Sequence, residues 1–172
     1  MREDDDAEYT AYVSARLVAL HRAAYLLCGG DKIRADEIVQ VTITKLYQRW
    51  KKASRADDLD AYVHRMLVNA HIDEWRGSWA RVWLLPKHDD GIKGIDEQYV
   101  GVDDRALVVA ALRTLPPRQR AVLVLRFLLD RPIEQVAQIL RCSEGTVKSH
   151  SSRGLAALRT VIQDHQKTIG IL

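Results

Sequence analysis

The residues best placed to do chemistry lie between positions 132 and 159, in the segment PIEQVAQILRCSEGTVKSHSSRGLAALR. Val136, Ala137 and Leu140 have the spacing of one buried helix face, and Ala137 supplies the small side chain that two crossing helices need. Ser143 is placed to cap a second helix by accepting an N–H from its first turn. On that helix Val147 points inward, and Leu155 and Leu158 extend its buried face. Thr146, Lys148, Ser149, Ser152 and Arg153 are left facing outward, short polar and basic groups suited to phosphates and base edges. The layout is a helix-turn-helix whose second helix would enter a DNA major groove by its N-terminal half. A helical hairpin with a solvated basic face is the plainer account of the same pattern. Arg118, Arg120 and Arg126 add charge on the preceding segment. Singly each reads as a surface residue; beside the helix-turn-helix, two of the three are expected to meet phosphate.

Other chemistries find no support. There is no Walker A loop, G-x-G-x-x-G, H-E-x-x-H or Ser/His/Asp arrangement, so the chain is not expected to be an enzyme or to use a cofactor or small-molecule substrate. His64 and His71 lie seven residues apart on one helix face, with no cysteine or carboxylate cluster near them in sequence, so no metal site is expected. Cys28 and Cys142 do not make a disulfide framework, which favours a reducing, cytoplasmic setting. Packed or inert thiols are the default for this pair, and a redox switch between them is the sharper alternative. No apolar run approaches the roughly 20 residues of a membrane span. The opening MREDDDAEYT is acidic, unlike a secretory leader.

The elements that must hold the candidate residues are helical. Val39, Ile43, Leu46, Tyr47 and Trp50 form one stripe over 35–50. Residues 9–27 make another amphipathic run, stopped by Cys28-Gly29-Gly30-Asp31. Leu59, Val63, Met66, Leu67 and Ala70 make a third stripe, with Asp57, Asp58 and Asp60 near its start, where acidic groups suit the unpaired N–H groups. Four helices are expected over 105–165, with Pro116-Pro117 opening the second. The run AVLVLRFLL (121–129) has the composition of a buried strand, but its helical flanks favour helix. Between about 77 and 104 the periodicity fails and glycine and acidic residues accumulate, the mark of a linker. Trp79 and Trp83, at its start, are expected to continue the third helix or pack back on the first half.

Charge divides at the same place. The net charge of +3 splits into −2 over 1–102 (15 Lys+Arg, 17 Asp+Glu) and +5 over 103–172 (11 and 6). Two modules with different partners are implied, the basic one suited to duplex DNA.

The stretch LRTLPPRQRAVLVLRFLLDRPIEQVAQILRCSEGTVKSHSSRGLAALR resembles region 4 of bacterial sigma factors. RADEIVQVTITKLYQRW resembles region 2.2, and LDAYVHRMLVNAHIDEWR regions 2.3–2.4. The order, with no region 3 between them, is that of the extracytoplasmic-function (ECF, group IV) sigma factors of the sigma-70 family, with an actinobacterial flavour.

The resemblance implies an all-α chain of two small helical domains joined by a flexible linker: region 2 over 1–80, linker over 81–104, region 4 over 105–172. It implies an alternative sigma factor that binds core RNA polymerase and directs promoter-specific transcription initiation in the cytoplasm. A helix-turn-helix regulator that never joins polymerase is the alternative; it would need neither the region 2 face nor Asn69. Asp36, Glu37 and Gln40 would meet the β′ clamp helices, although an acidic solvated helix start also accounts for them. Val41 stands where the family usually carries glutamate, so one carboxylate of that face is missing. Asn69, Asp73 and Arg76 would read the melted −10 strand, Asn69 because its amide both donates and accepts. An Asp73–Arg76 pair one turn apart is an equal account of those two. Trp75 and Trp79 would stack on bases or, more plainly, pack. Arg126, Thr146, Lys148, Ser149, Ser152 and Arg153 would hold the −35 duplex, and apolar residues of 117–129 would meet the β flap. An anti-sigma factor is a further implied partner. Promoter elements ~17 base pairs apart lie about 58 Å apart, within the ~90 Å reach of 28 extended residues.

Overall fold

The computed structural model describes residues 3–84 and 104–169, with side chains described over 4–74 and 105–168. Every regular element among them is helical. Residues 85–103, most of the expected linker with its Asp89, Asp90, Asp96 and Glu97, lie outside the described residues.

Helix α1 (Glu3–Leu27) buries Leu20, Ala23, Ala24 and Leu27, a one-face spacing. It stops in a two-glycine turn. Gly30 N–H donates to Tyr25 O (2.9 Å) and Gly29 N–H to Leu26 O (3.1 Å), with φ of +90° and +62°. That pairing is a Schellman cap, which favours residues without a Cβ. At Gly30 a Cβ would also stand 2.6 Å from Val109 Cγ1, so the second half of the chain presses on this turn.

Helix α2 (Lys32–Gln48) starts at Asp31, whose carboxylate accepts from Arg34 N–H (3.1 Å). Its buried face is Ala35, Ile38, Val39, Thr42 and Leu46. The stripe expected from sequence is therefore rotated. Val39, Leu46 and Trp50 are buried, Ile43 is half-buried, and Tyr47 is 43% exposed. The shift is possible because the Thr42 hydroxyl donates to Ile38 O (2.6 Å), which lets a polar residue sit in the core. The chain breaks at Arg49, and the one-turn α3 (Trp50–Ala53) buries Trp50 edge-on to Tyr9, with ring centroids 5.5 Å apart.

Helix α4 (Leu59–Leu84) is capped by Asp58, whose carboxylate accepts from Ala61 N–H (2.7 Å). Val63, Leu67 and Val68 are fully buried. The helix continues through Gly77 to Leu84, so positions 81–84 are helix and not linker, and Trp79 and Trp83 lie on it as expected.

The second half holds α5 (Asp104–Arg113), α6 (Pro117–Leu123), a π-helical turn (Val124–Leu128), α7 (Ile133–Leu140) and α8 (Glu144–Ile169). The 121–129 run is helical, as expected. Ala121 through Leu125 are all buried because α8 covers one side and α1 the other. A helix apolar all round needs such cover.

The two halves share one core, in which Leu27, Val39 and Leu67 pack in the same cluster as Leu125, Val136 and Val147. Two arginines tie the halves together. Arg131 donates to Asp58 Oδ2 (2.6 Å) and His64 Nδ1 (3.2 Å). Arg120 reaches across to Leu27 O (2.8 Å) and also holds Leu112, Arg113 and Leu115 carbonyls.

Candidate nucleic-acid interface

Helices α7 and α8 form the helix-turn-helix. The turn depends on Arg141 in the left-handed region (φ 52°, ψ 52°) and on Ser143. Ser143 Oγ accepts from Thr146 N–H (3.1 Å) and lies 2.9 Å from Thr146 Oγ1, so the expected cap is in place. Val136, Ala137, Leu140 and Val147 are buried between the helices. Leu155 is 40% exposed and does not continue the buried face. Gly154 takes that place, where a Cβ would stand 2.9 Å from Leu123 Cδ1. The absence of a side chain lets α8 lie directly on α6, and that turns the helix relative to the expected face.

Lys148, Ser152 and Arg153 are exposed on α8, and Thr146 and Ser149 are half-buried beside them. The Thr146 hydroxyl is engaged with Ser143, which leaves Lys148, Ser152 and Arg153 the freest groups on this face. Exposed Arg118 adds to the same charge field. Burial first, then the charges of Arg153 and Arg118, push His150 below its ordinary pKa, so both guanidinium groups act at one place. Arg126 is half-buried, with its guanidinium 5.6 Å from the Phe127 ring centroid. Its Nε is buried without a hydrogen-bond partner among the described residues.

Arg120 does not belong to this face. It is 9% exposed, and its donors are spent on four backbone carbonyls. Sequence carries only a weak hint of this role. Arg120 directly precedes the apolar run 121–125 and follows Pro116-Pro117 by three residues, where carbonyls of the preceding turn need partners.

A second surface lies on α2. Asp36, Glu37 and Gln40 are all exposed, and the Asp36 carboxylate meets His21 Nδ1 at 3.1 Å. Two exposed apolar side chains lie on the same helix, Ile33 (74%) and Val41 (42%), and Val18 is exposed on α1.

On α4, Asn69 is half-buried and Asp73 exposed. Arg76 lies on the helix, but the side chains of Trp75, Arg76 and Trp79 lie outside the described residues. Helix α7 packs on α4. Among the described residues no helix is long and apolar enough to cross a membrane.

Two family models match the chain in order: sigma-70 region 2 over residues 13–81 and sigma-70 region 4 over 105–158. The sigma-E factor of RNA polymerase from Streptomyces avermitilis is 32% identical over 163 residues, covering 95% of this chain and 89% of the relative. That of Streptomyces coelicolor is 34% identical over 152 residues, covering 88% and 84%. The structure of the sigma factor RpoE of Bartonella quintana, solved with the anti-sigma factor NepR, has the same fold at a TM-score of 0.73 and 23% identity. It covers 91% of this chain and 97% of that one. The chain belongs to the sigma-70 family of RNA polymerase sigma factors, in its extracytoplasmic-function group.

Proposed function

We propose that this chain is an alternative sigma factor that binds core RNA polymerase and directs initiation at a specific set of promoters. Residues 1–84 serve as region 2, 85–103 as tether and 104–172 as region 4. Asp36, Glu37 and Gln40, with Ile33 and Val41 beside them, meet the β′ clamp helices. Asn69, Asp73 and Arg76 hold the melted −10 strand, where an extruded base must be repaid in hydrogen bonds. Arg126, Thr146, Lys148, Ser149, Ser152 and Arg153 hold the −35 duplex, with Arg118 adding phosphate contact. The chain is a non-enzymatic cytoplasmic factor, and its apolar 117–129 segment meets the β flap.

The observation that carries this reading is the pairing of two surfaces on one chain: a capped helix presenting Lys148, Ser152 and Arg153, and an exposed acidic–apolar face on α2. A DNA-binding regulator needs only the first. The packed arrangement of the halves is the resting form in this account. Promoter elements about 58 Å apart require the halves to separate, which breaks the Arg131–Asp58 and Arg120–Leu27 ties. The Bartonella relative was solved with an anti-sigma factor, and a partner of that kind would hold this chain at rest.

Binding to purified core polymerase tests the reading. Sub-micromolar association that is lost on joint replacement of Asp36, Glu37 and Gln40 by alanine is expected. DNA binding without any association with core would favour the regulator instead.

A further inference from the structure

Behind these surfaces a set of metal-ligand side chains meets in the interior. Cys28 is 6% exposed and His71 2% exposed, and Cys28 Sγ lies 3.9 Å from His71 Nδ1. Glu74 is half-buried beside them, and one ligand atom from each of the three lies within 4.8 Å of the others. His71 and Glu74 stand one turn apart on α4, a spacing that aligns them on one face. Cys28 is delivered by the Schellman turn that ends α1. Among the described residues, Glu74 Oε2 is buried without a hydrogen-bond partner, and so is His71 Nε2, the ring nitrogen other than the one beside Cys28. Unpaired buried polar atoms are costly, so a native cluster that keeps two of them calls for an explanation.

We propose that Cys28, His71 and Glu74 form a binding site for a thiophilic divalent cation of the zinc class. Thiolate, imidazole and carboxylate together suit zinc better than magnesium or calcium, which take oxygen donors. Bond lengths of ~2.0–2.3 Å put neighbouring donors of a tetrahedral site roughly 3.2–3.6 Å apart. The cluster reaches that spacing by tightening through side-chain rotation. Three protein ligands leave a fourth position for water. Arg34 Nε holds Glu74 through Oε1 (2.9 Å), which orients the carboxylate and leaves Oε2 for the cation.

The protons balance simply. Burial pushes His71 down to about 4, so it is neutral at pH 7 with a lone pair to give. Burial pushes the Cys28 thiol up to about 11, so its proton leaves for solvent as the sulfur–metal bond forms. The guanidinium charges of Arg34 and Arg120 favour the thiolate, while Glu74 and Asp31 favour the thiol. Thiolate, Glu74 and Asp31 together offset most of the positive charge, and the loaded cluster carries one net positive charge more than the empty one. The sequence shows no cysteine near His71 because Cys28 lies 43 residues away; only the α1–α4 packing brings them together.

The test is a cobalt(II) titration of the full chain, stripped of metal, with no DNA or polymerase present. One equivalent should develop a thiolate-to-cobalt charge-transfer band, displaced by zinc. C28S should abolish the band and E74Q should weaken cobalt binding at least ~10-fold. C142S should leave it unchanged. Unaltered circular dichroism of the variants guards against misfolding, and E74Q carries the test if C28S does not fold. No charge-transfer band in the unsubstituted chain, or a band that survives C28S, or cobalt affinity untouched by E74Q, overturns the proposal.

Discussion

Replacing Arg120 by methionine separates a structural arginine from a DNA-binding one. The Arg120 guanidinium gives four hydrogen bonds, to Leu112 O (2.9 Å), Leu27 O (2.8 Å), Arg113 O (3.2 Å) and Leu115 O (3.0 Å). Hydrogen bonds to a charged group contribute ~1.5–3 kcal/mol each, and the orphaned carbonyls each cost ~1–3 kcal/mol when left dry. Against that stands the relief of a desolvated charge. Burial already lowers the Arg120 pKa, with Arg34 and Arg113 adding repulsion. Methionine keeps the apolar stem. The net expected loss is ~3–5 kcal/mol, as for other buried charge networks broken on one side. With a urea m-value of ~2 kcal/mol/M, the unfolding midpoint should fall by ~2 M. Lysine should rescue little of it, since one ammonium cannot fork to four acceptors. The salt dependence of duplex binding should not change. A midpoint shift under ~0.5 M together with a shallower salt slope would refute the structural role and return Arg120 to the DNA face.

Joint replacement of Lys148 and Arg153 by alanine should weaken −35 duplex binding and reduce the log–log salt slope by ~1.8, at ~0.9 per phosphate contact; fluorescence anisotropy across salt concentrations reads it. Asn69→Ala should impair open-complex formation, followed by permanganate footprinting, while leaving −35 duplex binding intact; equal loss of both would contradict a separate −10 role. Acid should loosen the fold before it titrates carboxylates. Burial first, with Arg131 beside His64 and with Arg120 and Arg34 beside His71, pushes both histidines down to about 4. The unfolded chain takes up protons below about 6.5 that the folded chain refuses until about 4, so stability is full at pH 7 and falls across that window, by at most ~3 kcal/mol per histidine. Urea midpoints of the metal-free chain at pH 7, 5.5 and 4.5 measure it, and a flat profile would contradict neutral, buried histidines.

The parts of the fold that were legible in the sequence are those set by local rules. Ser143 reads as a cap because hydroxyl and N–H are three residues apart, and Val147 reads as core because its partners on α7 are close in sequence. Asp58 and the Gly29-Gly30 turn are local in the same sense. Where several alternatives satisfy one rule, sequence does not decide between them. Thr42 looks polar, so the pattern points the α2 stripe toward Ile43 and Tyr47; the threonine hides its hydroxyl against Ile38 O and takes the core position. Leu155 has the residue type of a core position, while the contact with Leu123 belongs to Gly154, which only a helix crossing reveals. Arg120 bonds a carbonyl 93 residues away, Arg131 an aspartate 73 residues away, and Cys28 meets a histidine 43 residues away. No periodicity encodes such distances. The site residues divide likewise: exposure of Lys148, Ser152 and Arg153 follows from helix phase, whereas the meeting of Arg118 with Arg153 near His150 depends on how α6 lies on α8.

The most direct test of the central claim is transcription in vitro with core polymerase and a template library randomised over the −35 and −10 positions. The chain should raise transcript yield far above core alone, and the selected templates should share two elements about 17 base pairs apart, the span the tether length allows. Transcription no greater than with core alone, despite duplex binding by the same preparation, would contradict the account.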